Sequence, residues 1–338
     1  MGGAMLSGGV AALGASPFDG LAGAALLEAV RDYATPRTVI TRYEGADGRL
    51  AILAEAEAVA PGKVLDRFTN ETFTMPGNDA LPAGTAIQTI VPISWWHGAY
   101  DGTVGLDLNN MVFAPTDVAS LKSDYPPGEV EQATYSNGVW SVGTITVSGT
   151  RTNVFTPPTG SEGDFARTFM YMAVVYGMDW WSDVRASMVM EDGRQYALTD
   201  YAKRLFLKWC AADPVDDFER SRAKVIGEAQ GAENPFITYP EIAEYLWGDK
   251  AGEVFTATTP DDSDSDSELK PLKAKYSIAA DHTLDLTSPY ISGDVTWSVD
   301  GTTSTTQRIP LESLGTGRHE VRFSGAGING GINIEIEP

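Results

Sequence analysis

Helical spacing of apolar residues first appears near the start of the chain, where Leu26, Leu27, Val30 and Tyr33 fall on one face and Pro36 ends the run. This predicts a helix from Leu21 to Tyr33. Residues 39–155 follow another rhythm. Short β-rich stretches alternate with Gly, Pro and Asn-Gly pairs, as in Val142 to Val147 after Asn137-Gly138, which predicts strands joined by turns. Between Asp164 and Trp247 helices dominate again. Phe165, Phe169, Met172, Ala173 and Tyr176 share one face for burial. Asp213 reads as an N-cap, Pro214 as the first helical residue, Asp216-Asp217 as first-turn acids and Gly231 as the stop.

After Trp247 the periodicity disappears. Residues 256–271, TATTPDDSDSDSELKP, offer no apolar face to offset their ordering entropy and are expected to form a solvated acidic linker. In residues 272–338 a period of two takes over, at Val295, Trp297, Val299, then Val321 and Phe323, then Ile332, Ile334 and Ile336. That predicts a small all-β sandwich module. The domains expected are therefore 16–255, then the linker, then 272–338. The opening fifteen residues are small and apolar, and read as a leader whose charged start is missing.

Composition narrows the partners. The 338 residues carry 24 Lys plus Arg against 46 Asp plus Glu, a formal charge of −22. A protein that grips nucleic acid gains affinity by neutralising phosphates, so this sign disfavours phosphate polymers. Five of the acids form one run, Asp261, Asp262, Asp264, Asp266 and Glu268, but the remainder is still strongly acidic. The single cysteine, Cys210, excludes an intramolecular disulfide and a paired-cysteine zinc site. No apolar run reaches the length of a membrane-spanning helix.

Residues 86–130 read AIQTIVPISWWHGAYDGTVGLDLNNMVFAPTDVASLKSDYPPGEV. This block resembles the bacterial endonuclease I family, secreted metal-dependent nucleases of the His-Me finger (ββα-metal) type. The shared frame is Pro92, Ser94, Trp95, Trp96, Asp107, Leu108, Asn110, Lys122, Ser123, Pro126, Gly128, Glu129 and Val130. Similarity extends over roughly residues 18–248, including VFTPPTGSEGDFARTFMYMAVVYG and LKWCAADPVDDFERSRAKVIGEAQGAENPFITYPEIAEYLW. The resemblance implies an α+β fold, an endonuclease I-like ββα-metal domain followed by the β module, and an extracellular or periplasmic location.

It also implies a histidine base that activates water, with a glutamate and an asparagine holding one divalent ion. Those three positions are occupied here by Thr89, Gln88 and Ala119 respectively. A threonine hydroxyl does not deprotonate water near neutral pH. Gln88 keeps an amide oxygen without charge, and Ala119 offers no ligand, a poor set for a hard ion that dehydrates reluctantly. Other positions drift similarly. Asn109 replaces a histidine, and Glu162 and Glu233 stand where relatives carry Lys and Arg.

The expected function is accordingly a catalytically degenerate nuclease homologue that binds an unidentified ligand or serves structurally, with no cofactor. The alternative is an active extracellular endonuclease rebuilt around His97 as base, with Asp107, Asn110 and Asp117 as ligands for Mg or Ca. A third reading puts the function in the C-terminal module, as an adhesion or sorting domain. Trp95 and Trp96 are expected to split into one buried and one rim residue. Cys210 is expected to be a buried, inert thiol, and Arg167 and Arg220 to form ion pairs with Asp164 and with Asp216 or Asp217.

Overall fold

The computed structural model describes residues 16–60, 62–77, 80–96, 102–147, 149–177, 184–191, 198–257, 275–277, 283–285, 295–304, 308–325 and 328–337. The leader, His97, His282 and all but the first two residues of the acidic linker lie outside them. The chain divides into two compact units, Met1–Ala257 and Thr258–Pro338.

The first unit begins with α1 (Gly23–Ala34), which buries Leu26 and Val30, and α2 (Arg49–Ala56). A small antiparallel sheet follows, β1 (Ala58–Ala60), β2 (Lys63–Leu65) and β3 (Thr72–Thr74). The helix α2 falls in the stretch read as mixed and loop-rich with short strands; its RLAILAEA segment is too short to show more than two turns of periodicity. Then come β4 (Thr85–Thr89) and β5 (Met111–Pro115), paired antiparallel as a two-stranded ribbon, and the short helix α3 (Val118–Lys122). The strands β6 (Gln132–Ser136), β7 (Ser141–Val147) and β8 (Thr150–Thr156) form a meander whose first turn is the predicted Asn137-Gly138 corner. Gly143 in β7 is obligatory, because a Cβ there would stand 2.2 Å from the Gln132 carbonyl oxygen.

Helix α4 (Glu162–Tyr176) is the axis of the unit. Beyond the five residues predicted for burial it also buries Met170, Tyr171 and Val174, so it is enclosed nearly all round. Around it lie α5 (Asp200–Ala212), α6 (Asp217–Gln230), α7 (Pro235–Thr238) and α8 (Ile242–Trp247). Helix α6 starts three residues later than the sequence suggests. Asp213 closes α5 through its N–H and accepts the Gly163 N–H at its carboxylate, so Asp216 becomes the cap, accepting the Glu219 N–H at 2.8 Å. Gly231 ends the helix in the left-handed conformation, as its position implied.

Segment 253–257 closes the unit. Phe255 is fully buried, its N–H donates to Leu21 O, and its carbonyl accepts from Gly20. Phe18 and Tyr245 meet this anchor edge to face, and Tyr33 and Tyr239 pack in the same way against Phe18.

The second unit contains a five-stranded sheet, in which Val295–Val299, Gly317–Gly325 and Ile328–Glu337 pair antiparallel at the centre. Thr302–Ser304 and Lys275–Ser277 form its edges. Val299 faces Val321 across the ladder and both are buried, as are Ile334 and Ile336, which is the alternation read from the sequence. Thr283–Asp285 and Arg308–Pro310 form a second, two-stranded sheet. A one-turn helix, Leu311–Leu314, corrects the all-β expectation.

Candidate functional site

The strand–strand–helix unit β4, β5 and α3 carries the positions singled out in the sequence. Gln88 pairs with Val112 and Thr89 with Met111. Alternation along a strand puts Gln88 on the face of Ala86 and Ile90, and Thr89 on the face of Ile87. Both are half-buried; Ala119, at the start of α3, is exposed. Gln88 and Thr89 therefore lie on opposite faces of the ribbon, and none of the three side chains, an amide, a hydroxyl and a methyl group, carries a charge.

Beneath the ribbon lies a dense polar core. Asp107, 1% exposed, takes hydrogen bonds from the Tyr171 and Tyr176 hydroxyls, both at 2.7 Å, and from the Asn109 N–H at 2.9 Å. It also accepts from the Asn109 and Gln230 amides, each at 3.2 Å. Burial and the neighbouring Asp107 carboxylate push the Tyr171 hydroxyl well above its ordinary pKa, so it stays a donor. Asn110 clamps the two strands: its Oδ1 accepts the Val91 N–H at 2.7 Å and its Nδ2 donates to Val91 O at 2.9 Å. Arg222 donates to Glu57, Leu108 O and Met111 O. Asp117 is exposed and its side chain caps nothing on α3.

Asp107 and Asn110 are thus committed to holding backbone and hydroxyls, and Asp117 stands outside that core. Among the described residues no group of three or more His, Cys, Asp or Glu is arranged to hold a metal ion. The donor set at Gln88, Thr89 and Ala119 does not fit a divalent ion either, since it contains no carboxylate or imidazole.

Around α4 a second buried network forms. Arg167 pairs with Glu219 through two nitrogens and with Asp164 at 3.0 Å, while Arg67 pairs with the other Asp164 oxygen. Burial, with Asp164 close by, pushes the Glu219 carboxyl upward against the pull of Arg167, and raises the Asp213 carboxyl to about 6. The expected Arg167–Asp164 pair is therefore present. Arg220 instead reaches the Val215 carbonyl at 3.5 Å, because Asp216 is engaged in capping.

Several other expectations change. Both tryptophans are buried, Trp95 donating to Asp124 O at 3.3 Å and Trp96 to Tyr176 O at 3.0 Å, so neither forms a rim. Glu233 folds back, accepting from Thr238 Oγ1 at 3.0 Å. Cys210 is half-buried, and burial raises its thiol to about 11, keeping it protonated and inert. Lys122, noted only as part of the shared frame, is 3% exposed with its Nζ 4.8 Å from the Phe155 ring centre. Burial lowers its pKa to about 7. One lysine at the end of a short helix carries no sequence signal for this. Nor do Glu57, Arg67 and Arg222, which come together from distant segments.

The arrangement defines an α+β protein in which a two-stranded ribbon and short helix rest on a buried polar core. Residues 69–241 match the family model described as Endonuclease I, and the chain belongs to that family. It is 40% identical over 88 residues to an extracellular ribonuclease of Bacillus subtilis (strain 168), and 39% identical over 90 residues to one of Bacillus amyloliquefaciens. Each match covers 25% of this chain and only 30% of the relative.

Proposed function

We propose that this chain is a secreted member of the endonuclease I family that has lost phosphodiester hydrolysis and acts by binding. In this reading β4, β5 and α3 are the remnant of a His-Me finger, and the two sheets of the second unit stack as a sandwich. The observation that carries it is that the side chains at Gln88, Thr89 and Ala119 include no carboxylate or imidazole. Losing a positioned base alone costs ~10²–10⁴-fold in rate, and without a bound ion there is no Lewis acid to stabilise the phosphorane. Secretion is supported by the names of the two Bacillus relatives, both extracellular ribonucleases.

The test is a cleavage assay on RNA and plasmid with purified full chain in Mg²⁺, Mn²⁺ or Ca²⁺. The expected result is no turnover above that of the heat-inactivated sample. Robust cutting abolished by EDTA would overturn the reading. It would favour the rebuilt site with His97 as base and Asp107, Asn110 and Asp117 as ligands, which requires Asp107 and Asn110 to give up their present hydrogen bonds; His97→Ala should then abolish cutting.

A further inference from the structure

The two edges of the β4–β5 ribbon are treated differently. Ile90 N–H donates to Asn110 O at 3.0 Å and Thr116 N–H to Gly84 O at 2.9 Å. With the register Gln88↔Val112, these bonds fix the phase of the ladder. Ala86 and Gln88 point their backbone groups toward β5, whereas Thr85, Ile87 and Thr89 point theirs outward. On the opposite edge, three outward groups of β5 are satisfied, the first being the Met111 N–H, which donates to Leu108 O. Phe113 O accepts from Arg67 N–H at 3.1 Å, and Met111 O from the Arg222 guanidinium at 2.8 Å. On β4 only Thr85 N–H is closed, by Pro82 O at 3.2 Å. The N–H and C=O of Ile87 and Thr89 have no partner among the described residues.

Proteins ordinarily blunt such an edge with a lysine, a proline, a bulge or a covering segment. Strand β4, TAIQT, has no charge and no proline, its register with β5 is unbroken, and all five of its residues are half-exposed. An extended chain laid along it would gain main-chain hydrogen bonds at Ile87 and Thr89 without desolvating any ion, the mode of strand addition.

We propose that the open edge of β4 captures an extended polypeptide segment rich in Lys and Arg. The strand requirement comes from the paired N–H and C=O groups, which the phosphates of a nucleic acid cannot match alternately because they only accept. The cationic requirement comes from charge: a chain at −22 attracts a basic segment and repels both a polyanion and a second copy of itself. Asp117, exposed two residues beyond the Pro115 that pairs with Thr85, adds a local anion at one end of the strand. This deepens the binding reading above by naming a partner class for the same strand.

The test uses the full chain and a panel of capped ten-residue peptides that alternate Lys or Arg with Val, Thr or Ile, with Glu-for-Lys counterparts. Expected are saturable binding by fluorescence anisotropy that weakens with added salt, and slowed amide exchange at Ile87 and Thr89. The Glu peptides should bind at least about tenfold more weakly. Thr89→Pro removes an outward N–H while leaving the ladder to β5 intact, and should cost about tenfold in affinity. Should that variant fail to fold, Thr89→Lys keeps the backbone and should weaken binding through like charge.

Failure of the whole panel to bind at millimolar concentration would overturn the proposal, as would binding without protection at Ile87 and Thr89. A concentration-dependent dimer abolished by Thr89→Pro would overturn it in favour of a second copy. Protection of those amides by an oligonucleotide would overturn it in favour of nucleic acid. The two readings fail separately: absent cleavage with absent peptide binding sinks only the edge proposal, and cleavage with peptide binding sinks only the loss of hydrolysis.

Discussion

The outer surface of the β4–β5–α3 unit and the polar core beneath it have opposite characters. Gln88, Thr89 and Ala119 are at least partly open to solvent, and none of their side chains takes part in the hydrogen-bonded core. Below them Asp107, Asn110, Gln230 and Arg222 are almost fully buried and make multiple bonds to backbone and hydroxyls. Asp107 and Asn110 of the shared frame hold the chain together, whereas the side chains at Gln88, Thr89 and Ala119 hold nothing in that core. Side chains that satisfy buried backbone groups cannot be exchanged cheaply, because an unpaired buried donor or acceptor carries its full desolvation penalty. Surface side chains have no such obligation.

The strongest test of this contrast is Asp107→Ala. It strands the hydroxyls of Tyr171 and Tyr176 and the amide of Gln230 in the interior, so urea unfolding should show a loss of about 4 kcal/mol or more. Asp107→Asn keeps one acceptor oxygen and should lose about half as much. Comparable destabilisation by both would mean that the charge, rather than the hydrogen bonds, is what the core requires.

Arg222→Met probes the next layer. Glu57, fully buried, would lose its ion-pair partner at 2.8 Å, and the Leu108 and Met111 carbonyls would lose donors. Breaking a buried pair from one side typically costs about 3–5 kcal/mol. The double variant with Glu57→Leu should recover part of that loss, and a strictly additive cycle would show that the pair is not coupled.

Lys122 is a buried charge with a neighbouring ring and no carboxylate within ion-pair distance among the described residues, so its effect should be a pH dependence. Unfolded, it titrates near 10.5; folded, at about 7. In that interval unfolding takes up a proton, so this group's contribution to stability falls as pH drops from about 10.5 to 7 and is level below. Phe155 returns about 1 kcal/mol to the charged form. Lys122→Met should therefore stabilise the protein at pH 7 by about 1–3 kcal/mol, with the gain vanishing toward pH 10. A difference between variant and parent that stays flat across this range would refute the buried-amine account.

Much of this arrangement was legible in the chain and some was not, for identifiable reasons. The α4 face, the Asn137-Gly138 corner and the Gly231 stop rest on local rules and are found where expected. The start of α6 was misplaced because three acids compete for one cap, and Asp213 is claimed by Gly163, 50 residues away in sequence. Gln88, Thr89 and Ala119 were singled out through family resemblance alone. Their setting was not legible: Asp107 and Asn110 looked like candidate cation ligands because sequence shows oxygen donors but not which hydrogens already occupy them. The open edge of β4 was equally hidden, since it depends on ladder phase and on Arg67 and Arg222 closing the other side.

The smallest effect is expected where the contrast predicts silence. Gln88→Glu, Thr89→His and Ala119→Asn introduce the residue types that the family resemblance implies, without touching the polar core. Solvent-facing substitutions away from caps and buried pairs usually stay within about 0.5 kcal/mol each, so the triple variant should unfold within about 1.5 kcal/mol of the parent. Ala119→Asn carries most of any loss, through lower helix propensity in a one-turn α3. Gln88→Glu places a charge on a half-buried strand position, and should make stability fall slightly as pH rises through the carboxylate range. A drop as large as that of Asp107→Ala would mean that these neutral residues are integral to the packing. The three side chains would then belong to the packing of the fold rather than to its solvent-facing surface.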